Sequence, residues 1–282
     1  MNKKNDIFFI TKFYDPSCEK NGFLEYFRFF AFRMDFLKIL KKYIIDSQIY
    51  VSLAGTLLAT FFMLKQNTFR FPTAVLIFIT YFCGYLYTKY QHSQYFRRTL
   101  LVNIIAGGIC AALIIHNHNI ERLYKWAFIV ILGLLYNSFF LETYIRKIPL
   151  LKVFYVGMVW GLVNAWLSVP EFNIPVFAVS FLFVTALVLP FDIRDMHEDD
   201  IVTFPKIIGE QNTKYLAYLM IFASVMIAVF TLESMYSLAF FLSAAVTFAL
   251  IFFSESTRRH TYFSFWVESC SMLPFLFLVL LK

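Results

Sequence analysis

The sequence predicts an all-α, polytopic membrane protein of about nine transmembrane helices around a central cavity. Three observations carry that prediction. Hydrophobic residues make up 60% of the 282 positions and charged residues only 15%, where soluble domains carry about 25% charged residues. Apolar stretches long enough to cross a bilayer recur along the whole chain after residue 43. Basic residues alternate in density between successive connecting segments, the pattern expected of cytoplasmic and external loops.

Residues 1–43 form an N-terminal arm. Its start lacks the short apolar core and small-residue cleavage site of a secretory signal, so no cleaved leader is expected. Residues 23–43 mix bulky aromatics with frequent Arg and Lys, which suits a helix lying in the membrane interface rather than across it.

The bundle is expected over 44–282, with spans at about 44–64, 72–90, 100–118, 124–142, 149–168, 173–190, 214–232, 234–253 and 262–281. Only Leu232-Glu233-Ser234 separates the seventh from the eighth, and a merged pair would change the count. The arm, the segments after spans two, four, six and eight, and the span ends that border those segments hold 20 of the 25 Lys and Arg residues. That bias places the N-terminus in the cytoplasm and accounts for the net charge of +7 as topology rather than as a nucleic-acid surface. Cys18, Cys83, Cys110 and Cys270 are too scattered for a disulfide framework or a Cys-x-x-Cys metal site. His116 and His118 flank Asn117 without carboxylate or thiol partners, which reads as a polar turn.

One stretch stands apart. Residues 192–200 hold five of the eighteen acidic residues: Asp192, Asp195, Glu198, Asp199 and Asp200. On a helix, Asp192, Asp195 and Asp199 fall within about 60° of one another, a row of carboxylates from which Arg194 points away. Pro190 is expected to end or bend the sixth span just before it. Oxygen ligands of this kind suit Mg²⁺, which completes its octahedral shell with water or substrate phosphate oxygens. A solvated acidic loop is the alternative.

Asp192-Ile-Arg-Asp195-x-x-x-Asp199, followed by Thr203-Phe-Pro-Lys206-Ile-Ile-Gly209, resembles the second aspartate-rich motif of the UbiA-type intramembrane prenyltransferase superfamily. Tyr136-Asn137 and the segment from Arg146 and Lys147 to Lys152 are similar to that family's tyrosine and basic loop. The resemblance covers most of residues 40–282. It implies a nine-helix bundle that moves an isoprenyl group from a polyprenyl diphosphate to a lipophilic acceptor such as a quinone precursor, with Mg²⁺ as cofactor. It also implies roles by position: Asp192, Asp195 and Asp199 hold the metal, with Asp195 catalytic. Arg146, Lys147, Lys152 and Arg194 hold the diphosphate.

The family's first aspartate-rich motif belongs after the second span, and the chain departs from it there: no acidic residue lies between 81 and 100. Lys89, Arg97 and Arg98 stand in that region instead, where fixed cations would meet the diphosphate directly. Three alternatives stay open: a lipid-binding protein that no longer ionises its ligand, a terpene cyclase or lyase on the same frame, and a secondary transporter. Within the fifth span, Trp160 and Asn164 are candidates for the cavity wall.

Overall fold

A computed structural model describes residues 48–136, 150–198 and 202–282. The N-terminal arm, where an interfacial helix is expected, and Arg146, Lys147, Asp199 and Asp200 lie outside the described residues. Every regular element among the described residues is helical. The order is α1 (Ile49–Lys65), α2 (Phe71–Tyr90), α3 (Phe96–His116), α4 (Ile120–Tyr136), α5 (Leu151–Leu162), α6 (Ile174–Arg194), α7 (Phe204–Ile208), α8 (Glu210–Thr231), α9 (Ser234–Phe252) and α10 (Leu273–Leu281). A π-helical turn, Val163–Leu167, extends α5, and a second, Tyr262–Val267, precedes α10.

Five of these, α2, α3, α6, α8 and α9, are long and apolar enough to cross a membrane. Two shorter apolar segments, α1 and Leu151–Leu167, accompany them. The chain therefore reads as a multi-pass membrane protein. Exposed Ile104, Ile109 and Leu113 on α3 and Leu219, Phe222 and Phe230 on α8 give it an apolar exterior.

Local chemistry explains the boundaries. Pro72, Pro175, Pro205 and Pro274 each sit in a first helical turn, where the missing N–H has no partner to lose. Asn173 caps α6, its side-chain oxygen accepting from the Val176 N–H at 3.0 Å. Gly209 turns the chain from α7 into α8 at φ 82°, a conformation that favours glycine. Thr56, Thr185 and Thr247 donate their buried hydroxyls to carbonyls four residues back, which satisfies these polar hydrogens within their own helices. The extended Leu232–Glu233 joint keeps α8 and α9 separate.

Pro190 does not end the sixth span. Helix α6 continues through it to Arg194, because one lost donor does not outweigh packing along five turns.

Successive helices pack in chain order, α6 meets α8 directly, and α10 returns onto α1. Helices α5 and α6 approach each other closely. A Cβ on Gly157 would collide with the Thr185 hydroxyl and come within 2.9 Å of the Phe181 carbonyl oxygen, and one on Gly161 would meet the Phe177 ring at 3.0 Å. Gly157 and Gly161 stand one turn apart, the small-x-x-x-small spacing that lets membrane helices touch along their backbones. This contact fixes the start of α5 against the end of α6.

Candidate functional site

The last turn of α6 gathers charge at one end of the bundle. Asp192 is 1% exposed, and its Oδ1 lies 3.1 Å from the Lys152 Nζ on the first turn of α5. A buried carboxylate requires such a partner, since an unpaired charge costs several kcal/mol, roughly. The close α5–α6 packing therefore brings together two residues that the motif singled out forty positions apart.

Arg194 does not point away from the acidic run. It grips Asp195 with both edges of its fork, Nε to Oδ1 at 2.5 Å and Nη2 to Oδ2 at 2.7 Å. Its guanidinium lies 5.1 Å from the Phe191 ring centre and 5.9 Å from that of Phe263, a placement that aromatic faces favour. The helix stops at Arg194, and residues 195–198 are turns, so the carboxylates do not continue as one helical row. The Glu198 carboxylate lies 4.0 Å from His260 Nε2, both exposed. Arg97 and Arg98 are exposed on the first turn of α3. Thr203, the tail residue of the motif, is buried with a hydroxyl that has no hydrogen-bond partner among the described residues, and both ends of the buried Gln91 amide at the close of α2 are likewise unpartnered.

Beside this charged end lies a cavity of about 450 Å³, within the usual span of small-molecule sites, about 300–1,000 Å³. Helices α2 to α6 line it. Trp160 forms part of the wall and stacks near Tyr81, ring centres 4.8 Å apart. Tyr136 and Tyr155 stack at 5.4 Å on the same wall. Asn164 is not on it: its side-chain amide is buried against the Ser180 hydroxyl. Leu100, Ile104 and Leu134 line the cavity and are themselves exposed, so it opens sideways between helices, where lipid would stand. Phe191 belongs both to the wall and to the Arg194 stack, which joins the cavity to the charged end.

The motif-based reading passes over Glu268. Among the described residues it is the only charged side chain on the cavity wall, and it follows directly on the second π turn, a widened turn of the kind that often re-aims a side chain at a site. The signal was in the sequence. Glu268 is the one carboxylate in the stretch 262–281, and an ionisable residue deep in an apolar span is a site candidate by default.

Other buried cations have structural partners. Lys125 holds Glu121 at 2.5 Å and the carbonyls of Val169 and Pro170. Lys214 reaches Glu210 and the Phe252 carbonyl, each at 3.3 Å.

Among the described residues no three His, Cys, Asp or Glu side chains are placed to hold a metal ion. Asp192 and Asp195 are hard oxygen donors of the type Mg²⁺ takes; the third carboxylate of the motif, Asp199, lies outside the described residues. No protein-family model, curated protein or solved structure matches the chain.

Proposed function

We propose that the protein is a UbiA-like prenyltransferase: nine helices around a cavity, the N-terminus and the acidic end cytoplasmic, moving an isoprenyl group from a polyprenyl diphosphate to a lipophilic acceptor. The supporting observation is the junction at Phe191, where a charged end carrying Asp192, Lys152, Asp195 and Arg194 meets an aromatic cavity open to lipid. A prenyl diphosphate has the same two-part chemistry.

In this reading the isoprenyl chain enters from the bilayer between α3 and α4. Tyr136, Tyr155 and Trp160 present ring faces to the carbon that becomes electron-poor as diphosphate leaves. Arg194 and Lys152 exchange their carboxylate partners for phosphate oxygens, Arg194 as a fork and Lys152 as a point charge. Arg146, Lys147, Arg97 and Arg98 add positive charge around the departing group. Asp192, Asp195 and Asp199 would hold Mg²⁺, with Asp195 at the reacting diphosphate. When bound there, that ion offsets charge on the leaving diphosphate.

A second reading, a prenyl-lipid-binding protein, has one observation in its favour: both described carboxylates of the motif are already held by protein cations. Diphosphate release from farnesyl or geranylgeranyl diphosphate by the detergent-purified chain separates the two. The transferase reading expects release that requires Mg²⁺ and falls about 100-fold or more in Asp195→Asn, the scale of losing one charge-stabilising group in a dry site. Mg²⁺-dependent binding of the same lipid without release would transfer the conclusion to the binding protein.

A further inference from the structure

Polar groups are set into the largely apolar cavity wall. One is Tyr81, 6% exposed, whose hydroxyl is buried with no hydrogen-bond partner among the described residues. The Asn103 Oδ1 on the same wall is also buried and unpartnered, while its amide nitrogen donates to the Cys83 carbonyl at 3.0 Å. Tyr85 and Glu268 line the same cavity, as does Phe191, whose ring carries the Arg194 guanidinium. The wall that holds these groups therefore reaches the charged end.

Buried polar atoms are nearly always satisfied, and each one left without a partner costs free energy. Two on one wall, beside a carboxylate, describe a surface built for a ligand that brings its own polar group. A carboxylate and the Asn103 Oδ1 accept, while the Tyr81 hydroxyl both donates and accepts, so the group that suits the set is a hydroxyl, which also does both. A bare hydrocarbon chain would leave all of these groups unmet.

We infer that Glu268 is the acceptor-binding catalytic residue of this cavity, taking the hydrogen bond of a hydroxyl on a lipophilic acceptor and then its proton. The inference rests on the transferase reading above. The acceptor oxygen forms a bond to C1 of the prenyl chain as the C1–O bond to diphosphate breaks. That bond's electron pair leaves with the diphosphate, and the hydroxyl proton passes to the Glu268 carboxylate. Tyr85 and Tyr81 position the acceptor along the wall, and the aromatic rings hold its apolar body.

The test uses the full chain in detergent. Trp126 and Trp160 line the cavity, so their fluorescence reports its occupancy. The probes are 4-nonylphenol and its methyl ether, 4-nonylanisole, which differ in the O–H alone. The wild type should bind the phenol about tenfold or more tightly than the ether, as for a hydrogen bond to a charged group. Glu268→Gln, which keeps the side-chain volume, should cut that preference to about threefold or less, and Glu268→Leu should remove it. Equal affinities in the wild type, or an undiminished preference in both variants, would overturn the inference. Farnesyl diphosphate release, measured on the same samples without phenol, keeps the two readings apart. Release without phenol preference overturns the role of Glu268 and leaves the transferase standing. Glu268-dependent preference without release supports the hydroxyl site and overturns transfer.

Discussion

Helices α6 and α3 have nearly the same mean hydropathy, 2.4 and 2.1 over their most apolar windows, yet 56% of that window is buried in α6 and only 11% in α3. Hydropathy does not separate them; small polar and glycine residues do. On the α5–α6–α8 side, Gly157 and Gly161 admit the neighbouring backbone, and Ser180 and Ser224 tie helices together through Asn164 and the Val179 carbonyl. On the α2–α3–α4 side the glycines do the opposite. Gly84 and Gly133 line the cavity, and a Cβ on either would meet nothing within 4 Å. One half uses glycine to close a gap and the other to leave one open. The first half fixes Lys152 against Asp192, and the second provides the space beside them.

The largest effect that separates the halves is expected at Gly157→Ala. The added methyl group collides with the Thr185 hydroxyl and approaches the Phe181 backbone oxygen, and a backbone atom cannot swing aside. Overpacking of this kind costs about 1–3 kcal/mol. Thermal unfolding in detergent should move down accordingly, and diphosphate release should fall with it, because the α5–α6 contact positions Lys152. An unshifted transition would mean that the two helices are not in backbone contact.

Gly133→Leu is the matching test on the open side. With open space around the new Cβ and the cavity beyond it, stability should change by less than about 1 kcal/mol, since exchanging glycine for a better helix former offsets some of the cost. The cavity should fill instead, and 4-nonylphenol affinity should drop about tenfold, the scale of displacing one or two buried methylene contacts. A large loss of stability at Gly133 would break the contrast between the halves.

Part of this division was legible in the sequence. The stretches at 72–90, 100–118, 173–190, 214–232 and 234–253 fall on helices long and apolar enough to span, since length and apolarity act locally, whereas 44–64 and 149–168 fall on shorter apolar helices, 262–281 is interrupted after its π turn, and 124–142 runs beyond the described residues. Lys152 and Asp192 could be named from the motif, but not their pairing, which depends on Gly157 and Gly161 drawing two helices together. Pro190 was misleading because the local rule for proline omits the neighbours that hold α6 in place. Arg194 was expected to face away because ideal helical angles place it so, yet the helix ends at that residue and frees the chain to fold Asp195 onto it. The cavity wall as a whole was hidden for a different reason. Trp160 and Glu268 could each be singled out alone, but the wall draws on residues from α2 to α6, and no sequence pattern links positions so far apart.

The smallest expected effect lies where the two halves meet. Arg194→Lys keeps the positive charge over Phe191 but loses the fork on Asp195 and the flat stack on Phe191 and Phe263. If Arg194 moves from Asp195 to the leaving diphosphate during turnover, a lysine will do this less well, and Mg²⁺-dependent release should fall about three- to tenfold with thermal stability nearly unchanged. Looser hold on Asp195 should also lower the Mg²⁺ concentration needed for half-maximal release, because the carboxylate competes less with its own neighbour. A lowered Mg²⁺ requirement at an undiminished rate would give a different answer. Arg194 would then be only a counter-ion that keeps Asp195 folded onto the packed half, and the cations that meet the diphosphate would have to be sought among Lys152 and the exposed Arg97 and Arg98 on the open one.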